Sequence, residues 1–243
     1  FSADANAFGQ KTQDQSVVMI KNDGVLTGEA KTEKPKVYVP YVYSTGFSAN
    51  WMMGVNEGTP SWAPGLDLET LGKYFDVVTD KPGTATGEPD AEGKPKFTKD
   101  DITRATAEEI ADCAYILVGM TGAFSASYNS HLHAAFGAPR DLTGIEDFYY
   151  PASLQYAEYT ADTARDPSIS GNTVDGVKEN RSYKGRTAPA DPNYGHLEAL
   201  QYAESISGDI PVIAAVSMER GMVWTEVEPL CDVIFVSYNA QKT

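Results

Sequence analysis

Short apolar runs, bounded by glycine, proline or charged residues, recur along the chain and have the length of buried strands. Pro40 interrupts the first run and predicts a bulge or an early end there. Because the runs are apolar throughout rather than alternating, they are typical of strands that are covered on both faces of a parallel sheet. The five runs are residues 36–43 (KVYVPYVY), 74–79 (YFDVVT), 114–119 (AYILVG), 210–217 (IPVIAAVS) and 232–237 (DVIFVS).

Helical patterns lie between these runs. We predict helices at residues 66–73, 103–112, 194–207 and 218–230, and a further helix over about 3–21 that leads into the apolar run VVMI and the turn NDG. Strands that alternate with helices predict an α/β fold, a three-layer sandwich with a mostly parallel sheet and helices on both faces. In such folds, binding and catalytic sites gather at the carboxyl ends of the strands.

Two segments break the alternation. Residues 81–99 are rich in proline, glycine and charge and predict a surface excursion. Residues 120–192 form a long insertion that begins where the third strand ends, and the many tyrosines in it argue against disorder. We therefore divide the chain into a linker with a leading helix (residues 1–35) and an α/β domain (residues 36–243), and we look for chemistry in the insertion.

The net charge of the 243-residue chain is −15, and 42% of its residues are hydrophobic. Such a charge repels phosphate backbones and anionic headgroups, so neither nucleic acid nor a membrane surface is expected as a partner, whereas neutral sugars are compatible with it. No apolar run is long enough to span a membrane. The amino terminus shows no basic and apolar leader, so we expect the chain to start after processing or within a longer protein.

Several common site motifs are absent. Gly119 and Gly122 do not complete a dinucleotide fingerprint, and the chain has neither a phosphate-binding loop nor a nucleophile elbow. His131 and His133 form an HxH pair without a nearby third ligand, which favours packing over metal binding. Cys113 and Cys231 fit buried free thiols. We predict neither a metal nor a cofactor.

Four segments, in order, resemble the carboxyl-terminal α/β-sandwich domain of glycoside hydrolase family 3, the family of β-glucosidases and related exo-acting β-glycosidases. Each segment alone is weak, but their order and spacing together are more specific. A further pair, residues 153–156 (SLQY) and 179–185 (ENRSYKG), looks like a branch of the family with a long insertion. The four segments are residues 15–24 (QSVVMIKNDG), 111–119 (ADCAYILVG), 208–216 (GDIPVIAAV) and 227–236 (VEPLCDVIFV).

The resemblance implies a retaining mechanism with two carboxyl groups. The nucleophile of the family is an Asp in an amino-terminal (β/α)8 barrel, which we do not find in this chain. The general acid/base is typically a Glu on a loop of the present domain, and a protonated acid needs burial or a nearby negative charge to raise its pKa. The chain alone is therefore expected to be inactive.

Glu179 is our candidate for the general acid/base, although the family pattern of an acidic residue shortly before an Asp-Arg pair is altered here. Arg181, Tyr183 and Lys184 are the candidates for contacts with the sugar. Other acidic residues of the insertion are rivals for the catalytic role: Glu146, Glu158 and Asp175. Four further tyrosines fit packing of the insertion better than sugar stacking: Tyr149, Tyr150, Tyr156 and Tyr159.

The partners implied are a carbohydrate substrate and the missing barrel. The family continues past residue 243 with another strand and helix, so we expect the last strand to lack a neighbour and a homodimer to be possible through that edge. Two alternatives stay open: a non-catalytic domain that holds sugar or stabilises a barrel, and a flavodoxin-like module that binds a nucleotide or flavin.

Overall fold

The computed structural model of the chain describes residues 16–28, 34–46, 59–90, 92–123, 183, 195–218 and 221–238, the backbone at 48–50 and 54–56, and a few single residues before residue 12. Within this part, the helices are α1 (Leu68–Leu71), α2 (Ala107–Ile110) and α3 (His196–Ser207), with a 3-10 turn at Glu228–Leu230. The strands are β1 (Val17–Asn22), β2 (Lys36–Val39), β3 (Tyr41–Ser44), β4 (Ser48–Asn50), β5 (Gly54–Asn56), β6 (Ser61–Pro64), β7 (Asp76–Thr79), β8 (Lys81–Pro82), β9 (Ile102–Thr103), β10 (Tyr115–Thr121), β11 (Val212–Met218) and β12 (Val233–Tyr238).

Six strands form the central sheet, in the order β1-β12-β11-β10-β2-β7. β1 runs antiparallel to β12, and the other four pairings are parallel. The prediction of an α/β fold with a mostly parallel sheet is therefore confirmed. β1 lies within the segment 1–35, so that segment contributes one strand to the sheet. The other described strands pair as two-stranded ribbons, β3 with β6, β4 with β5 and β8 with β9.

The first apolar run splits at Pro40, as its position predicts. β2 belongs to the central sheet, whereas β3 leaves it and pairs with β6. The split is explained by the missing N–H of Pro40, which cannot donate to a strand ladder. The expectation that the last strand lacks a neighbour is wrong, because β12 lies between β11 and β1, and the edge strands of the sheet are β1 and β7.

The main core lies on one face of the sheet, where alternate residues of neighbouring strands meet the helices. Ile116 and Val118 of β10 belong to one buried cluster with Leu200 of α3 and Ile110 of α2. Side chains along a strand point to opposite faces in turn, so α2 and α3 both cover this face. None of the helices in the described residues has the length and apolar character that a membrane crossing requires.

The opposite face of the sheet carries the connection between β2 and β7. A side chain on Gly119 would collide with the backbone of Gly65, and the reverse also holds. Gly119 alternates with Val118 and so points away from the α3 face. The segment after β6 therefore crosses β10 on the other side, and two glycines allow the backbones to approach.

The prediction of a helix at residues 218–230 is wrong where the structure describes it. Residues 221–227 are irregular or in turns, and a single 3-10 turn follows at Glu228–Leu230. Gly221 and two β-branched valines lower the helix propensity, and Pro229 is tolerated in a first helical turn but not in a helix interior. Of the helix expected over residues 3–21, residues 4, 7–9 and 11 are described and are helical, whereas its VVMI run is a strand.

The excursion at residues 81–99 is organised by Asp101. The carboxylate of Asp101 accepts hydrogen bonds from the Thr86 N–H (3.0 Å), the Thr86 hydroxyl (2.6 Å) and the Thr98 N–H (2.7 Å). The hydrogen bond from the Thr86 hydroxyl, followed by that from the Thr98 backbone, lowers the pKa of Asp101 to about 2. A single carboxylate therefore joins the two ends of the excursion.

We expect Asp101→Asn to weaken the stability of the fold at neutral pH and to flatten its dependence on acid. The folded-state pKa of Asp101 is about 2, below the ordinary 3.8, so its stabilising effect is present above pH 4 and is lost as the pH falls towards 2. Asparagine keeps one oxygen acceptor but has no charge to lose. Thermal unfolding across this range should show the two proteins converging at low pH, and a constant difference would contradict the assignment.

Candidate functional site at the carboxyl end of the sheet

A topological switch point lies between β10 and β2. These strands are neighbours and parallel. The chain leaves β10 and returns through α3 to β11, whereas it leaves β2 and passes over the opposite face to β7. Open α/β sheets hold ligands in the crevice at such a point, outside the carboxyl ends of the strands. The residues that follow β2, β7 and β10 are therefore the place to look for a site.

Thr121 ends β10 at this point, and side chains from two distant segments hold it. Tyr183 is 1% exposed, and its hydroxyl donates a hydrogen bond to the carbonyl oxygen of Thr121. The backbone N–H of Thr121 donates to Nδ1 of His196, the first residue of α3, at 3.2 Å. We call these three residues the Thr121 anchor. The chain that leaves the sheet at residue 121 thus returns to the same place at residue 183.

The Thr121 anchor requires a neutral His196. An imidazole nitrogen that accepts a hydrogen bond carries no proton, so the proton of His196 lies on Nε2.

A second group, the Asp80 cluster, consists of Asp80, Tyr38, Tyr41, Arg104 and Ala105. Asp80 follows β7 directly, and its carboxylate is fully buried. It accepts hydrogen bonds from the Tyr38 hydroxyl (2.6 Å), the Arg104 guanidinium (2.7 Å) and the backbone N–H groups of Tyr41 (2.8 Å) and Ala105 (2.9 Å). Four donors compensate for the cost of burying the charge.

Arg104 joins the Asp80 cluster to the aromatic residues around it. Its guanidinium carbon lies 4.7 Å from the ring centre of Trp62 and 5.0 Å from that of Tyr202, and its Nη1 also donates to the Tyr41 carbonyl at 2.7 Å. An arginine between two rings gains cation–π attraction from both. The cluster therefore fixes the carboxyl ends of β2 and β7 relative to each other.

The surroundings of Tyr38 and Tyr202 keep both hydroxyl groups protonated. Burial and the neighbouring Asp80 carboxylate raise the pKa of Tyr38 far above its usual value. The same two causes raise the pKa of Tyr202. Both hydroxyls therefore stay protonated and donate, Tyr38 to Asp80 and Tyr202 to the Ala105 carbonyl at 2.8 Å. Because each of these groups is engaged with protein atoms, the cluster is a rigid support rather than a source of protons.

α3 connects the two groups. Its Tyr202 contacts the Asp80 cluster, and its first residue belongs to the Thr121 anchor. Glu198 forms an ion pair of 2.7 Å with Lys99 at the end of the excursion. Gly195 caps the helix with a positive φ of 92° and lies so close to the Tyr43 carbonyl that no side chain fits there. The carboxyl end of the sheet is therefore held by α3, the excursion that ends at Lys99, the Thr121 anchor and the Asp80 cluster.

Most of the site residues predicted from the sequence lie outside the described residues. This holds for Glu179, Arg181 and Lys184, for the rival acids and the other insertion tyrosines, and for His131 and His133. Tyr183 is described, and its ring packs in the main core instead of facing solvent. A sugar contact by Tyr183 stays a prediction. The observed packing holds residue 183 against the main core.

We expect Tyr183→Phe to lower the free energy of unfolding by about 1 kcal/mol, because it keeps the ring but removes the hydroxyl that donates to Thr121. Tyr74→Phe is the matched control, since Tyr74 is 66% exposed and should tolerate the change. Urea unfolding of both variants measures the difference. Equal stability of the two would show that the hydrogen bond to Thr121 does not help to hold residue 183.

The Asp80 cluster is not among the sites predicted from the sequence. One signal was present, an acidic residue directly after a predicted strand, at the end of the sheet where sites gather. The arginine and the aromatic rings gave no comparable signal. In the part of the chain that the structure describes, no three His, Cys, Asp or Glu side chains come together as metal ligands would.

Comparison with known proteins adds no family to this picture. No protein-family model matches the chain, and searches of curated proteins and of solved structures found no match either.

Proposed function

We propose that this chain is the α/β domain of a retaining, exo-acting β-glycosidase of the family 3 type, and that it supplies the general acid/base to a site completed by a (β/α)8 barrel. The observation that carries the proposal is the Thr121 anchor. It ties residue 183, in the most distinctive segment of the resemblance, to the carboxyl end of β10 beside the switch point.

Covalent geometry extends this observation to the proposed acid/base. Glu179 precedes Tyr183 by four residues, and an extended chain spans at most about 14 Å over that distance. Arg181 and Lys184 are closer still to Tyr183 in sequence. A carboxyl group and two cations this close in sequence to Tyr183 suit a sugar site. The cations would bind sugar hydroxyl groups, and the acid would protonate the glycosidic oxygen.

The chemistry explains why two domains are needed. Retention requires carboxyl groups about 5–5.5 Å apart on opposite sides of the anomeric carbon. The acid must stay protonated until it transfers its proton to the leaving oxygen, and a nearby carboxylate in a closed interface raises its pKa accordingly. This chain supplies one of the two groups in our proposal, and the barrel supplies the nucleophile.

The finer architecture belongs to the same proposal. We propose a three-layer, flavodoxin-like sandwich with an insertion at about residues 120–192 after the strand β10. Support comes from the core that α2 and α3 form on one face, and from the β2–β7 connection on the other. The insertion in this view carries the catalytic residue, and the sandwich provides the fixed base from which it projects.

The same switch point also suits the second candidate, a module that binds a nucleotide or flavin. The charge of −15 and the missing phosphate-binding loop count against it. An absorbance spectrum of the purified protein tests the flavin form of this alternative, since a bound flavin absorbs visible light.

The proposed function is tested by Glu179→Gln in the protein that joins this chain to a nucleophile-bearing barrel. Substrates with poor leaving groups should lose far more activity than activated aryl glycosides. The chain by itself should not hydrolyse either class, and turnover by the purified chain would contradict the division of the two carboxyl groups.

A further inference from the structure

We propose that His196 is a pH-sensitive positioning residue: its neutral ring holds the carboxyl end of β10, and its protonation releases that end. This role belongs to the Thr121 anchor and does not depend on the proposed function. It follows from the backbone of Thr121, whose polar groups are bonded by side chains where a neighbouring strand would ordinarily bond them. An imidazole in that place introduces a dependence on pH that a strand does not have.

β10 extends beyond its neighbour β2. The described ladder between the two strands ends at Ile116. β2 itself ends at Val39, because Pro40 follows and the chain then leaves the central sheet. On its other side, β10 pairs with β11 as far as Thr121. Residues 117–121 of β10 therefore run past the paired part of β2.

The N–H and the carbonyl of Thr121 both point to the side of β10 on which β2 has ended. The two backbone groups of one residue in a strand point to the same neighbour, and those of the next residue point to the other. Gly122 donates its N–H to the Ser217 carbonyl of β11 at 2.6 Å, so the preceding residue points away from β11. On that side His196 accepts the N–H and Tyr183 donates to the carbonyl. Two side chains therefore take the place of a strand.

This replacement makes the end of β10 sensitive to pH. A backbone carbonyl in the place of the ring would accept the Thr121 N–H at any pH, whereas an imidazole nitrogen accepts it only while that nitrogen carries no proton. A protonated ring has an N–H on both nitrogens and would face the Thr121 N–H donor to donor. His196 is partly exposed, so protons from solvent reach the ring.

The second contact of the Thr121 anchor does not share this sensitivity. Tyr183 donates through a phenol, and a phenol keeps its proton throughout the range in which an imidazole titrates. Acid therefore breaks one of the two contacts and leaves the other in place. The contact with His196 is complete above the ordinary imidazole titration, about pH 6.5, and is lost as the pH falls below it. The anchor then opens between β10 and α3.

Near the start of α3, charged and titratable groups of the described residues are engaged with each other or with backbone. Glu198, two residues along the helix, pairs with Lys99 at 2.7 Å, so these two charges largely cancel. Tyr43 of β3, whose carbonyl lies against the start of α3, donates its hydroxyl to a backbone carbonyl of the excursion. The hydrogen bond from Thr121 is therefore the described contact that selects the neutral ring of His196.

The other elements that pack against α3 carry their charges elsewhere. β10 and β11 consist of uncharged residues, YILVGMT and VIAAVSM. The Asp80 cluster contacts α3 at Tyr202, six residues beyond His196. Glu228 of the 3-10 turn pairs with Lys21 at 2.8 Å. Ordinary carboxylates titrate near pH 4, so between about pH 8 and about pH 5 acid acts on the anchor through the ring.

The test is amide hydrogen exchange at Thr121 in the purified chain, compared between about pH 8 and about pH 5 and corrected for the intrinsic effect of pH on exchange. We expect the protection of this amide to fall about fivefold at the lower pH, as the loss of one ordinary hydrogen bond implies. Nitrogen-15 spectra of the His196 ring should show the proton on Nε2 alone at the higher pH and on both nitrogens at the lower pH.

Variants separate the ring of His196 from other effects of acid. His196→Asn places an amide oxygen where Nδ1 lies but takes up no proton, so the Thr121 amide should stay protected at both pH values. His196→Leu has no acceptor and should leave it weakly protected at both. The matched control replaces the other two of the three histidines, His131→Asn with His133→Asn, and should behave as the wild type does.

Three results would overturn the role of His196. The first is wild-type protection of Thr121 that does not change with pH. The second is His196→Asn with the pH dependence of the wild type, and the third is a control variant that has lost this dependence. Circular dichroism shows whether each variant folds, and the wild type with its control decides the question even if a substitution at His196 prevents folding.

Discussion

Replacing Asp80 with alanine is expected to lower the free energy of unfolding by about 3–5 kcal/mol, the cost of leaving a buried ion pair without one partner. Arg104 would keep its charge at 18% exposure, and the Tyr38 hydroxyl and two backbone N–H groups would lose their acceptor. A loss of that size approaches the whole stability of many domains. Urea unfolding followed by circular dichroism measures it.

Two further variants make the Asp80 prediction specific. Asp112→Ala is the matched control, because Asp112 pairs with Lys36 at 2.6 Å but is 71% exposed, so its removal should cost far less. Arg104→Met combined with Asp80→Ala should be less harmful than the two single losses added together, since no unpaired cation remains. Equal losses for Asp80→Ala and Asp112→Ala would show that the Asp80 cluster does not stabilise the fold.

The sheet was predictable because its causes are local. Apolar runs such as AYILVG and DVIFVS are typical of buried strands, and both appear within one or two residues of their expected bounds. The break at Pro40 also follows from one residue and its missing N–H. In contrast, the apolar residues within the segment 221–227 are compatible with a helix by spacing, and the turns of this segment depend on the packing of Met222 and Val227 in the core.

The Asp80 cluster was not predictable because its members are far apart in sequence. Asp80 is separated from Tyr38 by 42 residues and from Arg104 by 24, and Tyr202 is 97 residues from Ala105, which it contacts. No pattern in a single sequence couples these positions, since the sheet order brings them together. The Thr121 anchor has the same character, because residues 121 and 183 meet although they are 62 positions apart in the sequence.

Glu179→Gln is expected to reduce kcat/KM for β-glycosides with poor leaving groups by about 10²–10⁴, the usual contribution of general acid–base catalysis. An alkoxide or sugar leaving group needs a proton as the glycosidic bond breaks, and glutamine has none to give. An activated aryl leaving group departs as a stable phenolate, so formation of the glycosyl-enzyme should remain fast. The measurement is kcat/KM on both classes, with the chain joined to a barrel that bears the nucleophile.

Azide separates the acid/base role of Glu179 from a structural one. Azide needs no general base, so it should attack the glycosyl-enzyme, release the carboxylate nucleophile and restore turnover as a glycosyl azide of retained configuration. A misfolded variant would lose both substrate classes and would not respond. Glu158→Gln is the matched control within the same insertion. If Glu158→Gln shows the split between substrates and the azide rescue while Glu179→Gln does not, the catalytic assignment moves to Glu158, and if neither variant does, the insertion does not carry the acid at either position.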